Sequence, residues 1–424
     1  MALDTIPKQE GGKLKAVASG TLPSGQPVVV NADGTVSVVA GLAQAVGSPT
    51  VFNNTGTTSS NFAIFDSNSN KVVIAYADGG NSYRGTAIVG TVSGTSISFG
   101  SPVVFESDGT GYISATFDSN SNKVVIAWQD SGNSSRGTAV VGTVSGTSIS
   151  FGTSVVFESG LTTNIGTTFD SNSNKVVISY RDNDNSNYGT AIVGTVNGTS
   201  ISFGTAVVYA SANSLYNSAT FDSNSNKVVI AYRDGGNASN GTAVVGTVSG
   251  TGISFGSPVV FSGATTNIGT TFDSNSNKVV FAYRDSANAS YGTAIVGTVS
   301  GTSISFGTAV VFDATNSNYI STIFDSNSNK VVVSYSTTGL KLVLGEVSGT
   351  SISFDSPVVL DATTIRGAAC TFDSALNRIV VAYRDGGNAN YGTSIVFKDE
   401  STTLTAENYI GMSGGVVATE TQSE

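Results

Sequence analysis

Histidine is absent from the 424 residues, and cysteine occurs once, at Cys370. The first absence removes Ser-His-Asp and Cys-His catalysis, His-ligated zinc and the HExxH pattern together. The second rules out an intrachain disulfide and leaves the redox compartment unread. Charge is scarce too: 11% of residues are ionic, with 19 basic against 29 acidic and a net charge of −10. Without a basic cluster there is nothing to neutralise a phosphate backbone, so nucleic acid is excluded as a partner. No apolar run could span a bilayer, which argues against membrane insertion. The opening MALDTIPKQEGGKLK has no apolar stretch of secretory type, so synthesis in a cytoplasm without a signal peptide is expected. No glycine cluster sits at a strand-to-helix junction, so the P-loop and the dinucleotide fingerprint fail as well.

What remains is Val, Thr, Ser, Asn and 50 glycines, a composition biased towards strands and turns. At 39% hydrophobic the chain buries a large core, and its surface polarity comes from Ser, Thr and Asn. The segment FDSNSNK begins at Phe65, Phe117, Phe169, Phe221, Phe272 and Phe324, and a worn copy, FDSALNR, begins at Phe372. Successive starts lie 52, 52, 52, 51, 52 and 48 residues apart. Periods of about 40 to 50 residues are those of propeller blades.

Within one unit, Ile113–Asp118 reads as a first strand, followed by a Ser-Asn-Ser-Asn turn. Lys123–Trp128 is apolar on both faces, as a sandwiched strand must be. Thr138–Val144 forms a third strand, and Thr147–Phe151, continuing through Val155–Phe157, a fourth. Pro102, Pro258 and Pro357 fall in copies of that fourth strand, which suits an outer edge. The last unit lacks its SISFGSPVVF element, while Gly47–Phe52 (GSPTVF) precedes the first FDSNSNK and matches Gly100–Phe105. The predicted fold is therefore all-β, a seven-bladed β-propeller whose N-terminal strand completes the last blade. An open β-solenoid is the rival, but it has no reason for such a permutation. Three regions follow: an N-terminal β attachment segment (1–40), the propeller (41–399) and a C-terminal tail (400–424) packing near the first. The N-terminal segment reads as strands Leu14–Ala18, Pro27–Val30 and Thr35–Val39, with Leu404–Gly411 pairing beside it.

Divergence between copies collects on one rim. The DSNSN and SGTS turns hardly vary, whereas the second-to-third loops and the inter-blade loops do. That rim carries Tyr83, Arg84, Tyr112, Arg136, Tyr188, Tyr216, Tyr291, Tyr319, Arg366 and Tyr391 on a polar bed. Aromatic faces with Asn, Asp and Arg beside them are the chemistry a glycan needs. Tyr and Asn also suit loops where drift is unopposed. The turn Asp66-Ser-Asn68-Ser-Asn70, repeated at Asp118, Asp170, Asp222, Asp273 and Asp325, matches the opening of a calcium loop. Lys71 replaces the sixth-position glycine and no acid follows at the twelfth, so a tight structural turn without cofactor is the stronger reading. The Tyr-Arg-Asp motifs at Tyr180, Tyr232, Tyr283 and Tyr383 read as blade-to-blade scaffold. No catalytic residues are assigned and no enzyme is expected. Paired carboxylates would have to come from the unrepeated Glu106, Asp108, Glu158 and Asp184. Neither the S-x-D-x-G-x-T-W box nor a GH…WD signature is present.

ASGTLPSGQPVVVNADGTVSVV, the tail LTAENYIGMS and the repeat FDSNSNKVVIAYRDGGN…YGTAIVGTVSGTSISFG resemble segments of structural proteins of tailed, especially marine, bacteriophages. That resemblance covers most of the chain. It implies a virion component (tail fibre, tail-tip or head-surface adhesin) that joins other virion proteins through its end segments, binds host-surface glycan and works as a homo-oligomer. A secreted or surface bacterial lectin and a ligand-free virion spacer are the alternatives. The polar end TETQSE raises the expectation that the natural chain continues.

Overall fold

The computed structural model describes residues 44–399 and 35–38 and the short strands Gln9–Glu10, Lys13–Leu14, Pro27–Val30 and Gly411–Met412. Among these residues there is no α-helix, only 3₁₀ turns at Gly79–Asn81 and Ser131–Asn133. The chain divides into Val46–Lys398 and a second unit drawn from Met1–Ala45 and Asp399–Glu424. In the second unit Pro27–Val30 pairs antiparallel with Val36–Val38 and with Gly411–Met412, and Gln9–Glu10 pairs with Lys13–Leu14. The parts of the expected strands at Lys15–Ala18 and Leu404–Ile410 lie outside the described residues.

The larger unit repeats one antiparallel sheet. Around Lys123–Asp130, the sheet consists of the end of Val103–Asp118, then Lys123–Asp130, then Arg136–Ser145. Two short pieces share the outer position: Ser148–Phe151 beside the end of the third strand, Val155–Val156 beside its start. The fourth strand read from the sequence is therefore broken, at Gly152–Ser154, and the prolines Pro102, Pro258 and Pro357 sit in such breaks, where no ladder bond is lost. A further difference concerns the crossing between sheets. Val155–Asp170 is one bent strand that closes one sheet and opens the next, with a register shift between Thr163 and Gly166. The inter-blade segment is strand in Val103–Asp118, Val155–Asp170, Val207–Asp222 and Val259–Asp273, and is interrupted at 54–57, at Ser317 and at 362–364.

Burial follows the two-sided pattern. Val124 to Trp128 are wholly inaccessible, as are the matching residues of the other second strands. Each interface mixes residues of consecutive sheets: Val125, Ala127 and Val141 pack with Phe157, Val176, Ile178 and Tyr180. Close approach is needed where Phe157 lies over Gly137, because a Cβ there would stand 2.4 Å from the ring. Gly85 under Phe105, Gly189 under Tyr209, Gly241 under Phe261 and Gly292 under Phe312 repeat the arrangement. In the sheet with the shortened loop, Leu340 and Leu360 are both buried where the glycine and the aromatic ring stand elsewhere.

The ends of this unit meet. Thr50–Asn53 pairs with the third strand Tyr391–Lys398, Gly47 N–H donates to the Val396 carbonyl at 2.8 Å, and Phe52 lies over Gly392. Val380, Ala382 and Val396 share a core with Val72, Ile74, Tyr76 and Ile88, so the last sheet packs on the first.

Candidate functional site

At one end of the sheets the DSNSN turns are self-contained. Asp118 Oδ1 accepts the backbone N–H groups of Asn120 and Ser121 at 2.9 Å each, and Asn122 takes the left-handed conformation at φ 55°. Asp66, Asp170, Asp222, Asp273 and Asp325 do the same, each 3% exposed or less. In three of them the second carboxylate oxygen also takes a serine hydroxyl, as at Ser69, Ser173 and Ser276. One carboxylate oxygen in every turn, and both in the turns of Asp66, Asp170 and Asp273, thus accept from the turn itself. Among the described residues no three acidic or cysteine side chains gather at one point.

At the other end lie the variable segments. Tyr83, Tyr112, Tyr216 and Tyr319 are 47%, 46%, 37% and 37% exposed, and Arg84 and Arg366 are exposed as well. Arg136, Tyr188, Tyr291 and Tyr391 are only half-accessible, the tyrosines because they begin third strands flanked by pairing partners. Arg84 and Arg136 tie the second-to-third loop to the crossing strand: Nε donates to the carbonyls of Ser107 (2.9 Å) and Ser159 (3.2 Å). Each also reaches an asparagine of its own loop, Asn81 or Asn133.

Three of the four unrepeated acids accept hydrogen bonds. Glu158 accepts the Tyr180 hydroxyl at 2.9 Å on one oxygen and the Gly160 N–H at 3.0 Å on the other. Glu106 accepts the Asp108 N–H, and Asp184 that of Leu161. Burial, with Asp130 and Asp108 nearby, holds the Glu106 carboxyl above its ordinary range. The Tyr-Arg-Asp motif does bridge sheets: Tyr180 is fully buried with its ring 5.3 Å from that of Phe157, and Tyr383 donates to Asp361 at 2.7 Å. Its arginine and aspartate hold the loop separately, Arg181 on Asn187 and Asp182 on the Asn185 N–H. Burial drives the Tyr180 and Tyr383 phenols far above their usual range, so both stay protonated donors. Burial also opposes ionisation of Asp361, but the hydrogen bonds from Tyr383 and Thr363 outweigh it and depress its carboxyl.

Sequence reasoning missed the cavity on the axis. It has a volume of about 330 Å³ and is lined by the first strands of all the repeated sheets, from Asn61–Ile64 round to Ala368–Thr371. Just before each lining segment one residue has a positive φ: Ser60, Tyr112, Asn164, Tyr216, Asn267, Tyr319 and Gly367. Alternate repeats differ here, with Tyr-x-Ser at Tyr112, Tyr216 and Tyr319 and Asn-Ile-Gly at Asn164 and Asn267. The two kinds interlock. Asn164 Oδ1 accepts the Tyr216 N–H at 2.9 Å, Asn267 Oδ1 that of Tyr319 at 3.1 Å, and Ser114 meets Thr167 at 2.9 Å. That two-repeat alternation was the available signal, hidden because the inter-blade segments were read as loops.

No family model and no curated protein matches the sequence. Solved structures do match in shape. The BP39L lectin from Burkholderia pseudomallei aligns at 9% identity with a TM-score of 0.60, over 84% of this chain and 98% of that one. The Cps50 (Swd1) β-propeller domain of Myceliophteria thermophila aligns at 8% identity and 0.53, over 84% and 99%. At these identities the likeness is one of fold, and the fold of this chain is a β-propeller.

Proposed function

We propose that the chain is a seven-bladed, non-catalytic binding propeller that recognises carbohydrate through its variable rim, as a surface part of a virion. The observation that carries the carbohydrate reading is the gathering of exposed tyrosines, Tyr83, Tyr112, Tyr216 and Tyr319, at the one end where the repeats diverge. Aromatic faces left in water on a polar bed suit the apolar faces and hydroxyl edges of sugars. The opposite end repeats one closed turn and offers no such variety. The blade count is supported by the repeat number and by the packing of the last sheet on the first. Absence of catalysis is supported by the engagement of Glu158 on both oxygens and by the lack of histidine. The virion placement rests on the bacteriophage resemblance of the repeats and end segments.

The test is an array of bacterial surface glycans probed with the full chain and with a Tyr83→Ala, Tyr112→Ala, Tyr216→Ala, Tyr319→Ala variant. Binding by the native chain that the variant loses is expected, unchanged by a chelator. An array silent to a correctly folded chain sinks the carbohydrate reading and favours a ligand-free virion spacer.

A further inference from the structure

We propose that the axial cavity is a single binding site for one terminal residue of an uncharged glycan, with Tyr112, Tyr216 and Tyr319 standing one or two residues before its lining segments. The proposal rests on the carbohydrate reading above and places the ligand within it.

The cavity itself comes first. About 330 Å³ falls at the small end of ligand pockets, which run from about 300 to 1,000 Å³. Its lining holds Ser and Thr hydroxyls, two asparagines, alanines and glycines, five isoleucines, Phe62 and Cys370, but no Asp, Glu, Lys or Arg. A charged ligand would be desolvated there without a counter-charge, so a neutral polyol is the class that fits.

Second, polar atoms in the wall lack partners. Asn61 and Asn217 are more than nine-tenths buried, yet Asn61 Oδ1 and Asn217 Nδ2 find none in the protein. They belong to the first and fourth repeats, one an acceptor and the other a donor. Thr322 Oγ1 in the same wall lacks a partner too, as do other buried atoms of the sheets, and a ligand hydroxyl reached by rotation of these side chains would satisfy them. The hydroxyls between blades are different, since Ser218 is already committed to Thr270 at 2.9 Å.

Third, the tyrosines hold an unfavourable backbone. Their φ values are 49°, 54° and 50°, a region costly for a bulky side chain. The scaffold does not require a tyrosine there, because Gly367 occupies the matching position at φ 60° and Asn164 at 50°. Strain kept where a cheaper residue fits is a sign of function. Tyr216 and Tyr319 are moreover pinned in place by the asparagine of the preceding blade.

The experiment is calorimetric titration of the full chain with methyl glycosides of glucose, galactose, mannose, fucose and N-acetylglucosamine, and with N-acetylneuraminic acid as charged probe. At least one neutral glycoside is expected to bind at one equivalent per chain, and the acid not at all. A Tyr112→Gly, Tyr216→Gly, Tyr319→Gly variant, whose new residues favour the same backbone, should weaken binding by about tenfold or more with its melting point kept. Asn217→Leu should do likewise, and Asn61→Leu serves if Asn217→Leu does not fold. Several equivalents per chain, or binding indifferent to these variants but lost in Tyr83→Ala, Arg366→Ala, would overturn the axial site and leave the carbohydrate reading intact. Silence towards all six probes beside a positive glycan array has the same meaning. Silence in both overturns both.

Discussion

Asp118 gathers two backbone N–H groups of its own turn, and Asp361 gathers a phenol from the neighbouring blade. These are different uses of one residue type, with different consequences. Asp118→Ala leaves two turn donors without their acceptor and is expected to cost about 1–2 kcal/mol, read from a urea midpoint. Because Asp118 Oδ1 is held by the turn and no acidic cluster stands beside it among the described residues, a chelator should leave the melting curve of the native chain unchanged. Asp361 has a depressed carboxyl, so its stabilisation is complete above the unfolded value of about 3.9 and is lost as pH falls through the lower folded value. Asp361→Asn should therefore flatten the acid limb of the stability curve below about pH 4, and an unaltered limb would dismiss the linkage. The turn was legible in the sequence because D-S-N-S-N is local chemistry. The Asp361–Tyr383 bond was not, since its partners lie 22 residues apart and meet only through sheet packing.

Among the elements, the blade interface turns on a ring over a glycine. Phe52→Ala should cost about 3–5 kcal/mol although Phe52 lies next to the start of the propeller unit, because it fills the last blade over Gly392. A much smaller loss would show that Thr50–Asn53 is not a structural latch. Leu340 and Leu360 replace the glycine and ring in one interface, so Leu340→Gly opens a void and Leu360→Phe alone overfills it. The double substitution should recover about 0.5–3 kcal/mol relative to the sum of the singles, measured as a double-mutant cycle. Strand identity was readable from two-sided apolar runs such as Val124–Ala127, and the GSPTVF match foretold the pairing of Thr50–Asn53 with Tyr391–Lys398. The broken outer strand and the continuous crossing Val155–Asp170 were not readable, because polar residues such as Thr162 and Thr163 look like loop until burial is known.

At the largest scale, the unit Val46–Lys398 carries two unlike ends on a common scaffold. The sequence placed divergence on one rim but did not separate side chains that reach solvent, such as Tyr83, from strand-starting ones such as Tyr188. Nor did it reveal the axial cavity, whose wall is assembled from residues hundreds of positions apart. The most direct test of the account is amide NMR mapping of the full chain on addition of a glycan selected by the array. The account predicts shifts clustered at Tyr83, Tyr112, Tyr216, Tyr319 and the cavity wall around Asn217, with the DSNSN turns silent. Shifts centred on Asp118, Asn120 and their repeats would contradict it, because recognition would then lie at the invariant end.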